Sequence, residues 1–342
     1  MAEDLYVWSI PMRTRFRGID AREGVLVHGP AGWGEFSPFW DYDIAECVPW
    51  WRAAHEAAYG AWSHDRLVRV GLTEAGAVRP LRETVPFNVT VPAVGPERAA
   101  SIVRDSRGCH TAKVKVAEPG QSEADDLARV EAVRDALGAG GFVRVDVNGL
   151  WDVDTAVRMV ALLDRAAGGL EYVEQPCRTV EELAAVRRRV SVPVAADESI
   201  RRADDPLRVA RLEAADIAVL KVAPLGGVAA CLRIAEQIGL PVVVSSALET
   251  SVGLAAGLAL AAALPELPYA CGLATLSLLD GDVTSAPFRV VDGELAVRRP
   301  EPDLSAEVLA DEDTAQRWKE RLAAVRALAA NPDFHDREED PA

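Results

Sequence analysis

Six charged side chains recur through the middle of this chain at almost constant intervals: Lys115, Asp146, Glu174, Asp197 and Lys221, with Lys113 two residues before the first. The steps from Lys115 are 31, 28, 23 and 24 residues, and a further 24 leads to Ser245. Three carboxylates without a neighbouring histidine or cysteine suit a hard divalent cation. Mg²⁺ is the expected ion and Mn²⁺ a possible substitute, since both take oxygen ligands and leave positions open for a substrate. Lysine is scarce here: of 37 basic residues only Lys113, Lys115, Lys221 and Lys319 are lysines. Arginine stays protonated, whereas lysine can lose its proton and serve as a base. Two lysines side by side raise each other's cost of protonation, and a nearby metal adds to that effect. A neutral lysine beside a cation that grips a carboxylate can take the proton α to that carboxylate.

Positions one unit apart need elements that repeat at the same period. Short apolar runs at Phe87–Val91, Ala112–Val116, Val143–Val147, Tyr172–Glu174, Val194–Asp197, Ala218–Val222, Val242–Ser245 and Ala270–Leu273 alternate with helical stretches such as Ser122–Leu137 and Val180–Arg188. Eight βα units predict an α/β fold, a closed (β/α)8 TIM-type barrel. An open doubly wound sheet would call for a GxGxxG turn, and none is present. The charged positions fall at the C-terminal strand ends, where barrel enzymes carry their sites. Lys113 and Lys115 share a strand face, as do Asp146 and Asn148. Taken alone, Asp197 reads as a helix cap and the two lysines as a solvent face; six charges in one barrel register do not. Asn148 and Glu198 stand between supporting the site and simple capping. Glu249 reads as structural. The backbone around Ser245–Ser246 and Gly272 could donate N–H groups to a substrate carboxylate.

The tryptophans gather at Trp8, Trp33, Trp40, Trp50, Trp51 and Trp62, before the texture turns to Ala, Val, Leu and Gly. That shift predicts a small α+β domain over residues 1–86, capping a barrel over 87–286. Residues 287–330, with a hairpin around Asp292-Gly293, are expected to return to the cap, and 331–342 form an acidic tail. A net charge of −16 argues against nucleic-acid or anionic-membrane partners. The longest apolar run, Val252 to Leu264, is too short to span a bilayer. Five scattered cysteines and no secretory leader predict reduced thiols in a cytoplasmic protein. The oligomeric state is not readable.

Lys113-x-Lys115, Asp146-x-Asn148, Glu174-Gln175-Pro176, Asp197-Glu198-Ser199 and Lys221 with Gly226-Gly227 resemble the enolase superfamily, in its muconate-lactonising-enzyme subgroup. The proton abstraction outlined above is that superfamily's known division of labour. Ile10-Pro11-Met12, Arg22-Glu23-Gly24 and Gly32-Trp33-Gly34-Glu35-Phe36-Ser37-Pro38 look like the branch that forms o-succinylbenzoate. The resemblance implies that Asp146, Glu174 and Asp197 bind Mg²⁺. It makes Lys115 the base and then the acid, with Lys113 tuning it and Lys221 acting as an opposed cation. It also implies that the Arg13–Gly24 loop caps the mouth. The implied reaction is dehydration of 2-succinyl-6-hydroxy-2,4-cyclohexadiene-1-carboxylate, in menaquinone biosynthesis. Dipeptide-epimerising relatives carry an acid pair near the eighth strand. Here Cys271–Thr275 has none, and Asp280 and Asp282 read as turn residues. An N-succinylamino acid racemase would use the same catalytic residues and stays open.

Overall fold

The computed structural model describes residues 4–16, 18–60, 80–203, 205–304 and 307–331. Trp62 and the tail from residue 332 lie outside them. At the N-terminus β1 (Asp4–Phe16), β2 (Ile19–Gly29) and β3 (Gly32–Phe36) form an antiparallel sheet in that order. Helix α1 (Val48–Tyr59) packs against it. Glycine is required at position 34, because a Cβ there would meet the Ala54 carbonyl oxygen at 2.0 Å.

After β4 (Thr84–Pro86) the barrel begins with β5 (Val89–Val91) and α2 (Pro96–Arg104). It continues through β6 (Thr111–Lys115), α3 (Glu123–Leu137), β7 (Phe142–Asp146), α4 (Val153–Ala167), β8 (Leu170–Glu174) and α5 (Val180–Arg187). Next come β9 (Val194–Ala196), the short α6 (Glu198–Arg201) and α7 (Arg208–Arg211), then β10 (Ile217–Lys221), α8 (Val228–Ile238), β11 (Val242–Ser245) and α9 (Ser251–Ala263). Strands β5 to β11 form one sheet in sequence order, all parallel. Side chains alternate as a covered sheet demands. Val143 and Val145 join the layer beneath the helices, whereas Tyr172, Ile217, Val219 and Val243 fill the barrel interior.

The eighth unit departs from expectation. Its strand is reduced to two bridging residues: Cys271 pairs with Phe87 and Gly272 with Ser245, which closes the ring. The turn Thr275–Leu278 follows it where an eighth helix would stand. That turn leads the chain back over the cap through Leu279, which bridges Met12. The fold is a closed barrel of the (β/α)8 type without its last helix.

The C-terminal segment turns at Asp292-Gly293, where Val291 bridges Glu294, and β12 (Glu294–Ala296) pairs with β4. Phe288 and Leu295 join the apolar cluster that holds the barrel strands together with Ala57 and Val85. Arg299 ties the segment to the cap, its guanidinium donating to the carbonyls of Ala31, Trp33 and Ala57. Helix α10 (Glu312–Ala329) then places Trp318, Leu322 and Val325 in one apolar cluster with Phe36, Trp50 and Trp51. No helix among the described residues is long and apolar enough to cross a membrane.

Candidate active site

Register brings the predicted residues to one end of the barrel. Lys115 pairs with Asp146, and Asp146 with Glu174, across three neighbouring strands. Lys221 pairs with Ser245 on the far side, and Ser245 bridges Gly272. A cavity of about 420 Å³, counting its open mouth, lies between them. Lys113, Lys115, Asp146, Asn148, Lys221 and Ser245 line its barrel side, with Phe39 and Leu248 among the residues that complete it.

The charges are paired in detail. Lys115 Nζ donates to Asp146 Oδ2 at 2.6 Å and to Asn148 Oδ1 at 2.7 Å. Lys113 Nζ donates to both oxygens of Glu174 at 3.0 Å and lies 3.4 Å from Asp146. Across the cavity Lys221 Nζ donates to Asp197 Oδ2 at 2.7 Å, and Arg201 Nε donates to Asp197 Oδ1 at 2.9 Å. Asn148 also donates to Glu198 Oε1 at 3.1 Å, tying the lysine flank to the start of α6. Gln175 accepts from the backbone N–H of Asp197 and Ser199 and holds the third carboxylate strand in place. Asn148 and Gln175 both have positive φ, at 52° and 42°, conformations uncommon outside glycine.

Burial opposes the charges of Asp146, Glu174, Asp197, Lys113 and Lys221, and their neighbours decide whether it prevails. Burial would raise Asp146, but Lys115 and then Lys113 hold it well below the usual carboxylate range. Asp197 is likewise held low, by Arg201 and Lys221 against burial. Glu174 is pushed up to about 7, first by burial and then by Asp146. Burial disfavours the charge of Lys113, yet Glu174 and Asp146 outweigh it and hold the ammonium above the ordinary lysine range. Lys221 moves the other way: burial lowers it, and Arg201 and Lys113 add to that against the pull of Asp197. The sequence offers Lys221 no like-charge neighbour two residues away. The fold supplies one through Arg201, four residues beyond Asp197.

Several residues carry the site without an obvious sequence signal. Arg201 is the main one; its only trace is the four-residue spacing from Asp197, one turn of a helix. Thr90, Phe39 and Thr275 reach the cavity only through the fold. The N–H groups of Ser246 and Gly272 are spent inside the barrel, on the carbonyls of Gly272 and Val244. Glu249 accepts from the Ala247 N–H at 2.6 Å, a structural use. Asp282 accepts from the Ser251 N–H at 3.0 Å, and Asp280 lies 3.6 Å from Arg13.

Family models match in two stretches. Residues 7–58 fit the enolase N-terminal domain-like model and residues 97–314 the enolase C-terminal domain-like model. The o-succinylbenzoate synthase of Thermobifida fusca (strain YX) is 66% identical over 321 residues, covering 94% of this chain and 95% of the relative. That of Mycolicibacterium smegmatis is 55% identical over 328 residues, covering 95% and 96%. The chain belongs to the o-succinylbenzoate synthase family of the enolase superfamily. Two solved structures share the fold at 22% identity, each with a TM-score of 0.72. The L-Ala-D/L-Glu epimerase of Bacillus subtilis is matched over 91% of this chain and 99% of its own. The muconate lactonizing enzyme of Pseudomonas fluorescens is matched over 93% and 98%.

Enolase-superfamily enzymes use a divalent metal. The donors present fit such an ion in type: three hard carboxylates, with no sulfur or imidazole, at the ends of consecutive strands. Glu174 is raised first by burial and then by repulsion from Asp146, and that repulsion is what a dication would offset. Among the described residues, however, no three such side chains stand close enough to share one ion as they are placed. Lys113 reaches both Glu174 and Asp146 and occupies part of the space between them.

Proposed function

We propose that this protein is an o-succinylbenzoate synthase. It dehydrates 2-succinyl-6-hydroxy-2,4-cyclohexadiene-1-carboxylate to o-succinylbenzoate in menaquinone biosynthesis, in the cytoplasm. The observation that carries the reading is the placement of Lys115 and Lys221 on opposite flanks of one cavity, each paired with a carboxylate, Asp146 and Asp197 respectively. Asp146, Glu174 and Asp197 would hold Mg²⁺, which would supply positive charge against the charge that develops on the substrate carboxylate. Lys115 removes the α-proton. It then returns a proton to the departing hydroxyl, which leaves as water while the ring becomes aromatic. Lys113 keeps its charge on Glu174 and shapes the field around Lys115. Lys221 faces the developing negative charge from the other side.

One observation favours a second reading. Burial and Arg201 lower Lys221, which makes it easier to discharge and so a usable second base, as racemisation of an N-succinylamino acid requires. Both substrates offered to the purified protein decide between them. Dehydration is expected to show the higher kcat/KM, to stop with chelator and to return with Mg²⁺. Faster racemisation promotes the second reading, and full turnover without metal removes the three carboxylates from their role. Lys221→Arg is expected to keep measurable dehydration while losing about 10²-fold.

A further inference from the structure

The Arg22-Glu23-Gly24 motif has no part in the chemistry above, yet Arg22 is one of the most enclosed cations of the cap, with 2% of its surface exposed. Its guanidinium lies at the seam between cap and barrel. Nε donates to the Leu248 carbonyl at 3.1 Å and Nη2 to the Ala247 carbonyl at 3.2 Å, both on the loop after β11. Nη2 also donates to the carbonyl of Ser37 in the cap. Its carbon sits 4.2 Å from the centroid of the Phe39 ring. Ala247, Leu248 and Phe39 all line the substrate cavity, whereas Arg22 does not.

The loop it holds would not keep this shape unaided. Leu248 has φ of +65°, a region that leucine rarely adopts. The loop's amides are fixed as well: Ala247 N–H by Glu249, and Thr250 and Gly253 N–H by Glu35 of the cap, both at 3.1 Å. The carbonyls on the cavity side therefore depend on Arg22. A planar fork can serve three carbonyls and a ring face together, which a lysine ammonium cannot.

We propose that Arg22 is a positioning residue that fixes the Ala247–Leu248 loop and the Phe39 ring as the cap-side wall of the cavity, and so sets the affinity for the substrate. The inference rests on the reading of the site given above. Arg22→Ala and Arg22→Lys test it, with the melting temperature measured alongside kinetics on whichever of the two carboxylate substrates the wild-type protein turns over. Wild-type dehydration tests the reading of the site, and the variant-to-wild-type ratios test Arg22. The expected result is a KM raised at least about 10-fold with kcat within about 3-fold of wild type, since uniform binding is lost while the reacting groups stay in place. Millimolar guanidinium is expected to lower the KM of Arg22→Ala saturably and to leave the wild type unchanged. A folded variant with wild-type KM overturns the proposal, as does a raised KM in Arg22→Ala that guanidinium fails to lower. Should Arg22→Ala not fold, Arg22→Lys carries the test. If that variant also fails to fold, Arg22 is only a structural residue and the proposal falls.

Discussion

Glu174 at the barrel mouth and Glu35 at the seam between cap and barrel are both buried, and both carboxyls are pushed up to about 7. Burial is the first cause in each. Their surroundings differ in kind. Glu174 sits among charges, with Lys113 on both oxygens and Asp146 and Asp197 near enough to repel it. Glu35 sits chiefly among neutral donors: the N–H groups of Thr250 and Gly253 at the start of α9 and the hydroxyls of Thr250 and Ser37. A perturbed carboxyl marks a functional site only with some probability. Here the neighbours separate the two cases. Interchangeable charges make a site that can admit an ion or a proton, and a ring of fixed neutral donors makes a dock.

The contrast breaks first at the mouth. Lys115→Arg keeps the charge beside Asp146 but cannot accept a proton, so steady-state assays should show kcat lowered about 10²-fold to 10⁴-fold with the melting temperature nearly unchanged. A near-wild-type rate would transfer the base role to Lys113 or Lys221. Glu174→Gln, which replaces one of the three carboxylates by a neutral amide, is expected to lower kcat by about 10²-fold to 10³-fold and to raise the Mg²⁺ concentration needed for half-activity. If the same change at Glu35 cost as much activity, the distinction between site and dock would fail.

The smallest effect is expected at the dock and should appear in stability. Glu35 has a folded value near 7 against an ordinary 4.5, so its contribution is present below about 4.5 and is lost as pH rises through about 7. Glu35→Gln should therefore flatten the fall in melting temperature between about pH 5 and pH 8, by a few degrees, with kcat within about 3-fold of wild type. An unchanged pH profile of melting would mean that Glu35 is not the group responsible.

The barrel was legible in the sequence because its strands are covered on both faces. Polar residues at Lys113, Lys115, Asp146, Glu174 and Lys221 therefore stand out within apolar runs at the unit period. The eighth unit was not. Its strand is two bridging residues, and the pattern Ala270–Leu273 cannot distinguish a paired strand from a brief one. Local spacing also leaves the setting of Lys221 unread. Its like-charge neighbour comes from Arg201 on another unit, and nearest neighbours along the chain do not report that. The donor role offered to the Ser246 and Gly272 amides failed for a related reason, because closing a ring consumes those N–H groups. The candidate residues stand together at one end of the barrel because strand ends fix direction; which ammonium faces which carboxylate is left to side-chain packing.

The cap's apolar cluster joins Phe36 and Trp50, near the start of the chain, to Trp318, Leu322 and Val325, near its end. On a ribosome the first strands emerge early but cannot finish burying Phe36, which packs on Trp318, until α10 has been made. The intervening barrel can collect its own strands in order meanwhile, since each pairs with the one synthesised before it. The domain synthesised first is thus the last to be completed. For that interval the nascent chain carries an uncovered aromatic face that would attract a chaperone or another unfinished copy.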